Sequence, residues 1–382
     1  MPSIGAAFGD RAPRLRQQLL AWWEVHGRRS VEQKPWMFTA DGRWPDPGEE
    51  LPCLGVWIAE VMLQQTQLSV VLPYWRRWMV HFPSLQCLAA ADLQDVLHCW
   101  QGLGYYVRAR RLHQGARWLV EAGRPLPTSM EGWLALPGVG RSTAAGVLSS
   151  AFDRPAAILD GNVKRVLARL HAFPHPPQRH SDHFWSLSEA LLDRTRARVF
   201  NQALMDLGAL CCTPRKPGCA ACPWRSDCGA YAAGTSEAFP VREARQPLPH
   251  EVIGVGIVLD GLGRVLIDQR PAEGLLGGLW EFPGGKQEPG EPIIATVARE
   301  LREELDLEVA VEEELIRLDH SYTHRRLTFV VHLCRPLAGR ARPLASQQVA
   351  WVAPCDLDAY PFPAANARMI TALREHLAPG HR

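Results

Sequence analysis

The sequence is poor in lysine and has no long apolar segment. Only four of its 42 basic residues are lysines, at positions 34, 164, 216 and 286, so arginine, which makes bidentate contacts with phosphate, carries most of the positive charge. No apolar run reaches the roughly 18 residues that a membrane span requires. The N-terminus lacks the apolar core of a secretory signal. These absences exclude a membrane-spanning protein and predict a cytoplasmic one.

Composition and length favour a globular chain with two domains. Apolar residues make up 47% of the 382 residues and charged residues 21%, which excludes extensive disorder. A chain of this length exceeds what one compact core usually accommodates. Residues 1–240 contain 26 basic and 20 acidic side chains, whereas residues 241–382 contain 16 and 20. The basic first part therefore permits a polyanionic partner.

The periodicity of apolar residues changes along the chain. Residues 14–228 are mostly helical in pattern, with predicted helices at 54–72, 92–120, 142–151, 160–171 and 183–210. Later residues predict strands at 253–260, 264–270, 320–334 and 348–353 and helices at 292–305 and 364–377. Between them, 229–250 has no period. We therefore predict a helical domain over 1–228, a linker over 229–250 and an α+β domain over 251–382.

Five of the ten cysteines lie between positions 211 and 228. In a chain without an export signal, such a cluster favours metal binding over disulfides. Four of them have the spacing Cys-x6-Cys-x2-Cys-x5-Cys, which can surround a cubane iron–sulfur cluster. Zinc held by four thiolates is the alternative. The predicted ligands, which exclude Cys211, are Cys212, Cys219, Cys222 and Cys228.

Two carboxylates and a glycine-rich turn are candidates for chemistry in the helical domain. Gly138 and Gly140 precede a predicted helix, where backbone N–H groups can approach a phosphate; an ordinary tight turn is the alternative. Asp160 stands where a helix begins, so capping is its simplest role. Glu60 lies within a largely apolar helix, which would raise its pKa towards that of a general acid. An exposed position on the wet side of that helix is the alternative.

Six segments in order resemble the adenine-specific DNA glycosylases of the MutY type, which belong to the helix–hairpin–helix glycosylase superfamily. The resemblance covers nearly all of 14–228 and implies a mainly α fold that carries an iron–sulfur cluster loop. The segments are IAEVMLQQTQ (58–67), GLGYYVRARRLH (102–113), LPGVGRSTA (136–144), LDGNVKRVLARL (159–170), FNQALMDLGALCC (200–212) and the four-cysteine loop.

The resemblance implies roles for the two carboxylates. Glu60 would protonate the extruded adenine at N7, and Asp160 would stay ionised and stabilise the oxocarbenium-like sugar. Relatives that also cut the strand have a lysine amine at position 142. Ser142 therefore implies a monofunctional glycosylase, which hydrolyses the N-glycosidic bond without strand scission.

Further positions match the family's contacts with duplex DNA. Removal of a base requires its extrusion from the stack, and Gln65 and Tyr105 match the residues that enter the duplex. Leu103 lies in the same loop as Tyr105. Gly138, Gly140 and Ser142 complete the DNA-binding set that the resemblance implies.

The second domain contains G-x5-E-x7-R-E-L-x-E-E-x-x-L, which resembles a Nudix box, and 252–378 resembles the MutT type of nucleotide pyrophosphohydrolase. Glu300, Glu303 and Glu304 would share one helix face and could hold magnesium; a solvated acidic face is the alternative. Arg270 and Asn366 match nucleotide-holding positions. Two departures are Asp306 in place of a glycine and the lack of a carboxylate in 345–351 to act as a distal base.

In adenine glycosylases of this type, the MutT-like domain reads 8-oxoguanine in the opposite strand. The Phe-Ser-His contact of the family corresponds here to Tyr322-Thr323-His324, so Thr323 and His324 are the implied lesion-recognition residues. We therefore expect a monomer with a 4Fe–4S cluster that removes adenine mispaired with 8-oxoguanine or guanine from double-stranded DNA. The alternatives are a fusion that also hydrolyses 8-oxo-dGTP, a non-catalytic DNA-binding protein and an endonuclease III-like pyrimidine glycosylase.

Overall fold

The computed structural model describes residues 8–243, 247–274, 276–322 and 325–378. The chain forms two compact units. The first consists of Met1–Ala89 with Gln114–Arg245, and the second of Ala90–His113 with Gln246–Arg382. Within the described ranges, no helix has the length and apolar character needed to cross a membrane.

Helices dominate the first part of the chain, as the periodicity predicts, and the second part adds strands. The helices are α1 Arg11–His26, α2 Cys53–Met62, α3 Leu68–His81, α4 Leu85–Ala90, α5 Leu93–Trp100, α6 Val107–Glu121, α7 Met130–Leu134, α8 Arg141–Phe152, α9 Gly161–Leu170, α10 Ser181–Leu191, α11 Ala197–Asp206, α12 Gly229–Ala232, α13 Ile293–Leu305 and α14 Ala364–Leu377. The strands are β1 His250–Val258, β2 Val265–Gln269, β3 Trp280–Glu281, β4 Gly284–Lys286, β5 Leu307–Ser321, β6 Arg326–Gly339 and β7 Gln348–Val352.

Three of the long helices predicted from periodicity are interrupted. The helix predicted over 54–72 is wrong as a single element, because Gln65 adopts a left-handed φ of 61° between α2 and α3. The segment 92–120 divides into α5 and α6 around the glycines at 102 and 104. Between α10 and α11, the carboxylate of Asp193 accepts bonds from the amide of Thr195 and the guanidinium of Arg196, and such local bonds compete with helix formation.

The core of the first unit brings the N-terminal helix against α9, α10 and α11. Leu15 and Leu19 of α1 are fully buried, and the core that contains them also includes Leu167 of α9 and Phe200 of α11. Helix α2 packs against α8. Helix α2 carries Glu60, and α9 begins directly after Asp160. The packing of these helices in the first unit therefore sets the positions of both carboxylates.

The second unit contains two small sheets. One has the strand order β4-β1-β6-β5, with β1 parallel to β6, and the other has the order β3-β2-β7. Helix α13 buries Val297, Leu301 and Leu305 in a core shared with Val258 and Cys334. The unit is therefore α+β, as expected.

Two strand predictions need correction. The segment 320–334 was expected to be one strand, but it spans the end of β5 and the start of β6, which pair antiparallel from Ser321 and Arg326 onwards. Strand β5 itself was not predicted, because its run of glutamates obscures the alternation of apolar residues. The predicted linker also contains α12 and a helical turn at Ser236–Ala238.

The second unit includes the segment Ala90–His113, which contains α5 and the start of α6. The Tyr106 hydroxyl donates to the carbonyl of Phe362 at 3.1 Å. The side chain of Gln94 donates to the carbonyl of Gly278 at 3.0 Å and accepts a bond from Trp280 Nε1 at 3.1 Å. The loop that carries Leu103 and Tyr105 is therefore flanked by helices bonded to the C-terminal strands and loops.

Candidate active site and cysteine loop

A cavity of about 1030 Å³ opens in the first unit. Its lining includes Glu60 from α2, Gln65 from the loop after α2, and Asp160, Gly161 and Asn162 at the start of α9. The start of α3, the end of α11 and the loop before α2 also line it. The two carboxylates that were singled out in the sequence thus line the same solvent-accessible cavity.

Glu60 lies on α2 among buried apolar residues. Burial and, to a smaller extent, the carboxylate of Asp160 raise the pKa of Glu60 to about 7, and the ammonium of Lys34 opposes this rise. A methyl group at Gly146 of α8 would lie 2.5 Å from Glu60 Oε2, so the absence of a side chain there is what allows the carboxyl group its position. A carboxyl group with this pKa can hold a proton near neutral pH and deliver it.

Asp160 is the N-cap of α9, as its sequence position indicated. Its Oδ1 accepts a bond from the amide of Val163 at 2.7 Å, and its Oδ2 accepts one from Asn162 Nδ2 at 3.3 Å. Burial raises the pKa of Asp160, whereas these donors and Arg165 oppose that rise. Since a helix N-terminus also favours a negative charge, Asp160 is the better placed of the two carboxylates to stay ionised.

Lys34 is a cavity-lining residue that sequence reasoning missed. Its Nζ donates to Gln202 Oε1 at 2.8 Å and to Asp206 Oδ1 at 2.9 Å. Asp206 also accepts bonds from Trp23 Nε1 and from the backbone and guanidinium of Arg28. The partners of this network are far apart in sequence, and the rarity of lysine in the chain was the one available signal.

The glycine-rich turn leads into α8 as expected. Gly138 has a φ of 76°, which favours glycine, and Gly140 is the N-cap of α8. Both glycines are exposed. Ser142 is half-buried, and its hydroxyl accepts a bond from the amide of Leu159 at 3.2 Å. Ser142 therefore contacts the backbone of the residue directly before Asp160.

The two residues expected to enter the duplex have unusual backbone conformations. Gln65 at the cavity rim has a φ of 61°, and Tyr105, in the second unit, has a φ of 48°. Tyr105 is 41% exposed and lies under the guanidinium of Arg108, whereas Leu103 is buried. A left-handed conformation is uncommon outside glycine and is often found at functional sites.

Two arginines face the cysteine loop. Arg169 Nη1 donates to Cys212 Sγ at 3.3 Å and to the carbonyl of Thr213 at 2.7 Å. Arg165 Nε donates to the carbonyl of Cys212 at 2.8 Å. The thiol of Cys228 in turn donates to the carbonyl of Arg169 at 3.3 Å. The loop is therefore attached to α9, the helix that Asp160 caps.

No group of three or more His, Cys, Asp or Glu side chains in the described ranges is arranged to hold a metal ion. The donor set of the loop nevertheless suits an iron–sulfur cluster, because four thiols lie in one short segment and Cys212 is flanked by guanidinium groups that would offset the negative charge of a thiolate-bound cluster. Cys211 is buried, and its thiol donates to the carbonyl of Gly218.

In the second unit, the three glutamates of the Nudix-like segment lie on α13. Arg299 pairs with Glu291 and Glu300 at 2.9 Å and with Glu303 at 3.1 Å. A side chain at Gly285 would collide with the carboxylate of Glu300. Asp306, the departure from glycine, is the C-cap of α13 with a φ of 55°, a conformation that aspartate tolerates better than most residues.

Further carboxylates that sequence reasoning missed lie near Glu304. Burial and the neighbouring Glu300 and Glu281 raise the pKa of Glu304 to about 7. Asp268 on β2 is 4% exposed, and burial together with Glu281 and Glu304 raises its pKa to about 8. An aspartate within the apolar strand VLIDQ was the sequence signal for it.

The remaining candidates of the second unit have different surroundings. Arg270, expected to hold a nucleotide, is paired with Glu281, because its Nη1 donates to both carboxylate oxygens at 2.5 and 2.7 Å. Asn366 is buried in the first turn of α14. The lesion-recognition candidates Thr323 and His324 lie outside the residues that the structure describes.

Two family models match the chain. The family model described as "HhH-GPD superfamily base excision DNA repair protein" matches residues 58–189, and the one described as "NUDIX domain" matches residues 254–372. A solved structure titled as a thermostable thymine-DNA glycosylase is similar to 59% of this chain and 99% of its own, with 26% identity and a TM-score of 0.51. The first part of the chain thus has the fold of the helix–hairpin–helix DNA glycosylases.

Proteins of similar sequence define the kind of DNA glycosylase more closely. The adenine DNA glycosylase of Mus musculus is 36% identical over 367 residues, which cover 83% of this chain and 70% of that protein. The adenine DNA glycosylase of Homo sapiens is 35% identical over 372 residues, covering 83% and 66%. The chain belongs to the adenine DNA glycosylase family, whose members are enzymes of base-excision repair.

Proposed function

We propose that this chain, acting as a monomer on double-stranded DNA, hydrolyses the N-glycosidic bond of adenine mispaired with 8-oxoguanine or guanine. The observation that carries the proposal is the cavity shared by Glu60 and Asp160. The raised pKa of Glu60 suits a proton donor, whereas Asp160 accepts a hydrogen bond from the amide of Val163 that favours its charged form. Cleavage of a glycosidic bond needs one group that donates a proton and one that stays negative.

The chemistry divides between these two groups. Glu60 donates its proton to N7 of the extruded adenine, which converts the base into a neutral leaving group. The C1′–N9 bond then breaks, and the carboxylate of Asp160 stabilises the positive charge that develops on the sugar. Water adds at C1′ and loses a proton to the carboxylate of Glu60, which leaves an abasic site and restores the acid. Because position 142 is serine, no lysine amine is supplied there for β-elimination, and we infer a monofunctional enzyme.

The cysteine loop would hold a 4Fe–4S cluster through Cys212, Cys219, Cys222 and Cys228. The contacts of Arg165 and Arg169 with Cys212 support this assignment. Such a cluster would supply a rigid, thiolate-bound core for the loop that packs against α9. We assign DNA binding to Gln65, Leu103, Tyr105 and the turn that contains Gly138, Gly140 and Ser142.

We also propose that residues 1–228 form the glycosylase domain, 229–250 the linker, and 251–382 a MutT-like domain that identifies the opposite base through Thr323 and His324. The match of the Nudix model to residues 254–372 supports the C-terminal assignment.

The test of the proposed function is adenine release under single-turnover conditions from duplexes that differ only in the base opposite adenine. Wild type should release adenine opposite 8-oxoguanine and guanine, whereas Glu60→Gln and Asp160→Asn should bind the same duplexes but lose activity by orders of magnitude. Exposed Glu24→Gln is the matched control for loss of a carboxylate. Near wild-type excision by Glu60→Gln would contradict the assignment.

A second candidate function concerns the C-terminal unit alone. The favouring observation is the concentration of carboxylates around Glu304, which includes Glu281 and Asp268 as well as Glu300. Glu300, Glu303 and Glu304 would hold magnesium, and Asp268 and Glu281 supply carboxyl groups that 345–351 lacks. We infer that this unit is a candidate 8-oxo-dGTP hydrolase. Arg270 and Asn366 are its candidate nucleotide-holding residues.

A further inference from the structure

Lys34 is the feature of the cavity that the proposed reaction leaves unused. Its side chain is almost fully buried, with 4% of the residue exposed, yet it lines the same cavity as Glu60 and Asp160. Its ammonium is held by Asp206 Oδ1 and Gln202 Oε1 at 2.9 and 2.8 Å. A buried lysine is costly unless its charge is compensated, so its position in the wall of a reaction cavity requires an explanation.

The charges around Lys34 do not balance within its own network. Arg28 and Lys34 both pair with Asp206 and both line the cavity, so two cations share one carboxylate. Glu60 and Asp160 line the same cavity as these two cations. If Asp160 is ionised and Glu60 is protonated, the four charges of Arg28, Lys34, Asp206 and Asp160 sum to zero.

We propose that Lys34 is a positioning residue for the general acid: its ammonium, fixed by Asp206 and Gln202, controls how readily Glu60 gives up its proton. The inference rests on the proposed role of Glu60. A cation beside a carboxyl group favours the charged form, whereas burial and the anion of Asp160 favour the neutral form. Lys34 therefore counteracts an environment that would otherwise hold the proton of Glu60 too tightly for transfer to adenine.

The direction of the effect follows from the groups that face Lys34. They are Arg28 on its own segment, Glu60 from α2 and Asp206 from α11. The capping carboxylate of Asp160, Glu32 and Arg165 also line the cavity. Burial lowers the pKa of Lys34 to about 8, so its charge is present below that pH. Loss of the charge should raise the pKa of Glu60 and leave Glu60 protonated at higher pH.

The experiment is single-turnover adenine excision from an A·8-oxoguanine duplex between pH 5.5 and 9, using the full-length protein. Lys34→Met removes the charge, and Lys34→Gln does so while keeping a hydrogen-bond donor, which offers a second route if the first variant does not fold. Both variants should shift the alkaline limb of the pH–rate profile to higher pH, by at least about half a pH unit. Lys34→Arg should keep the wild-type limb, as should Lys286→Met, which removes the exposed lysine paired with Glu251.

The outcomes separate the inference from the proposed function. A uniform fall in rate at every pH, without displacement of the alkaline limb in either neutral variant, would show that Lys34 only supports the fold and would overturn the inference. No adenine release by wild type, or full activity of Glu60→Gln, would overturn the proposed function instead. Circular dichroism and thermal unfolding of each variant establish that the compared proteins are folded.

Discussion

Arg165 connects the cysteine loop to the residue beside Asp160. Its Nε donates to the carbonyl of Cys212 at 2.8 Å, and its Nη2 donates to Asn162 Oδ1 at 2.8 Å. Asn162 in turn donates to Asp160 Oδ2 at 3.3 Å. Arg165 and Asn162 together thus connect the loop that would hold the cluster to the carboxylate that would stabilise the sugar cation.

The first prediction follows from that connection. Arg165→Gln should lower adenine excision by about 10- to 100-fold, the usual cost of losing an outer-shell partner, and should also lower iron content. Arg169→Gln is the matched comparison, because Arg169 contacts Cys212, Thr213 and Pro214 rather than Asn162. It should lower iron content while the excision rate per iron-loaded molecule stays near wild type. Equal excision rates per loaded molecule in the two variants would refute the connection.

The second prediction concerns the metal and its ligands. Purified protein should contain iron and sulfide and absorb broadly in the visible range through thiolate-to-iron charge transfer. Cys219→Ser should lose iron, whereas Cys211→Ser should retain it, because Cys211 is excluded from the ligand set. Elemental analysis measures the iron and zinc content of each protein, and the visible spectrum reports the cluster. Stoichiometric zinc without iron, or loss of iron in Cys211→Ser alone, would contradict the assignment.

The sequence predicted the positions that depend on local pattern. Asp160 caps α9 because a short acceptor side chain at the first turn satisfies a free N–H group, and Glu60 lies in α2 because its neighbours are apolar. Lys34 and Asp206 could not be paired in advance, since 172 positions separate them and only the folded chain brings them together. Similarly, nothing local shows that Gln65 adopts a positive φ.

The third prediction tests the space that Glu60 occupies. Gly146→Ala would place a methyl group 2.5 Å from Glu60 Oε2, so the carboxyl group must move away from its position. We expect excision to fall by on the order of 100-fold, because small displacements of a reacting group are costly, with little change in duplex affinity. Gly261→Ala, where a methyl group meets open space, should leave the rate unchanged. Normal excision by Gly146→Ala would mean that Glu60 does not act from this position.

The fourth prediction concerns recognition of the opposite base. Thr323→Val removes the hydroxyl group and keeps the shape of the side chain, and His324→Ala removes the imidazole. Each should reduce the preference for 8-oxoguanine over guanine opposite adenine, because a lost hydrogen bond to a base edge costs about 1–3 kcal/mol of discrimination. Excision from A·G duplexes should change little. The measurement is the ratio of single-turnover rates on the two duplexes, and an unchanged ratio in both variants would remove this segment from lesion recognition.

The last prediction concerns hydrolysis of 8-oxo-dGTP by the C-terminal unit. Glu300, Glu303 and Glu304 lie on α13, and Gly285 leaves room for the carboxylate of Glu300, so magnesium and a pyrophosphate could be held together. With magnesium, the wild type should release pyrophosphate from 8-oxo-dGTP, and Glu303→Gln should reduce release by at least about tenfold. Exposed Glu308→Gln is the control for loss of a glutamate outside the segment. If wild type and Glu303→Gln release pyrophosphate at the same rate, or release does not depend on magnesium, α13 is a structural element and the unit serves lesion recognition alone, since Arg299 already pairs with two of its glutamates.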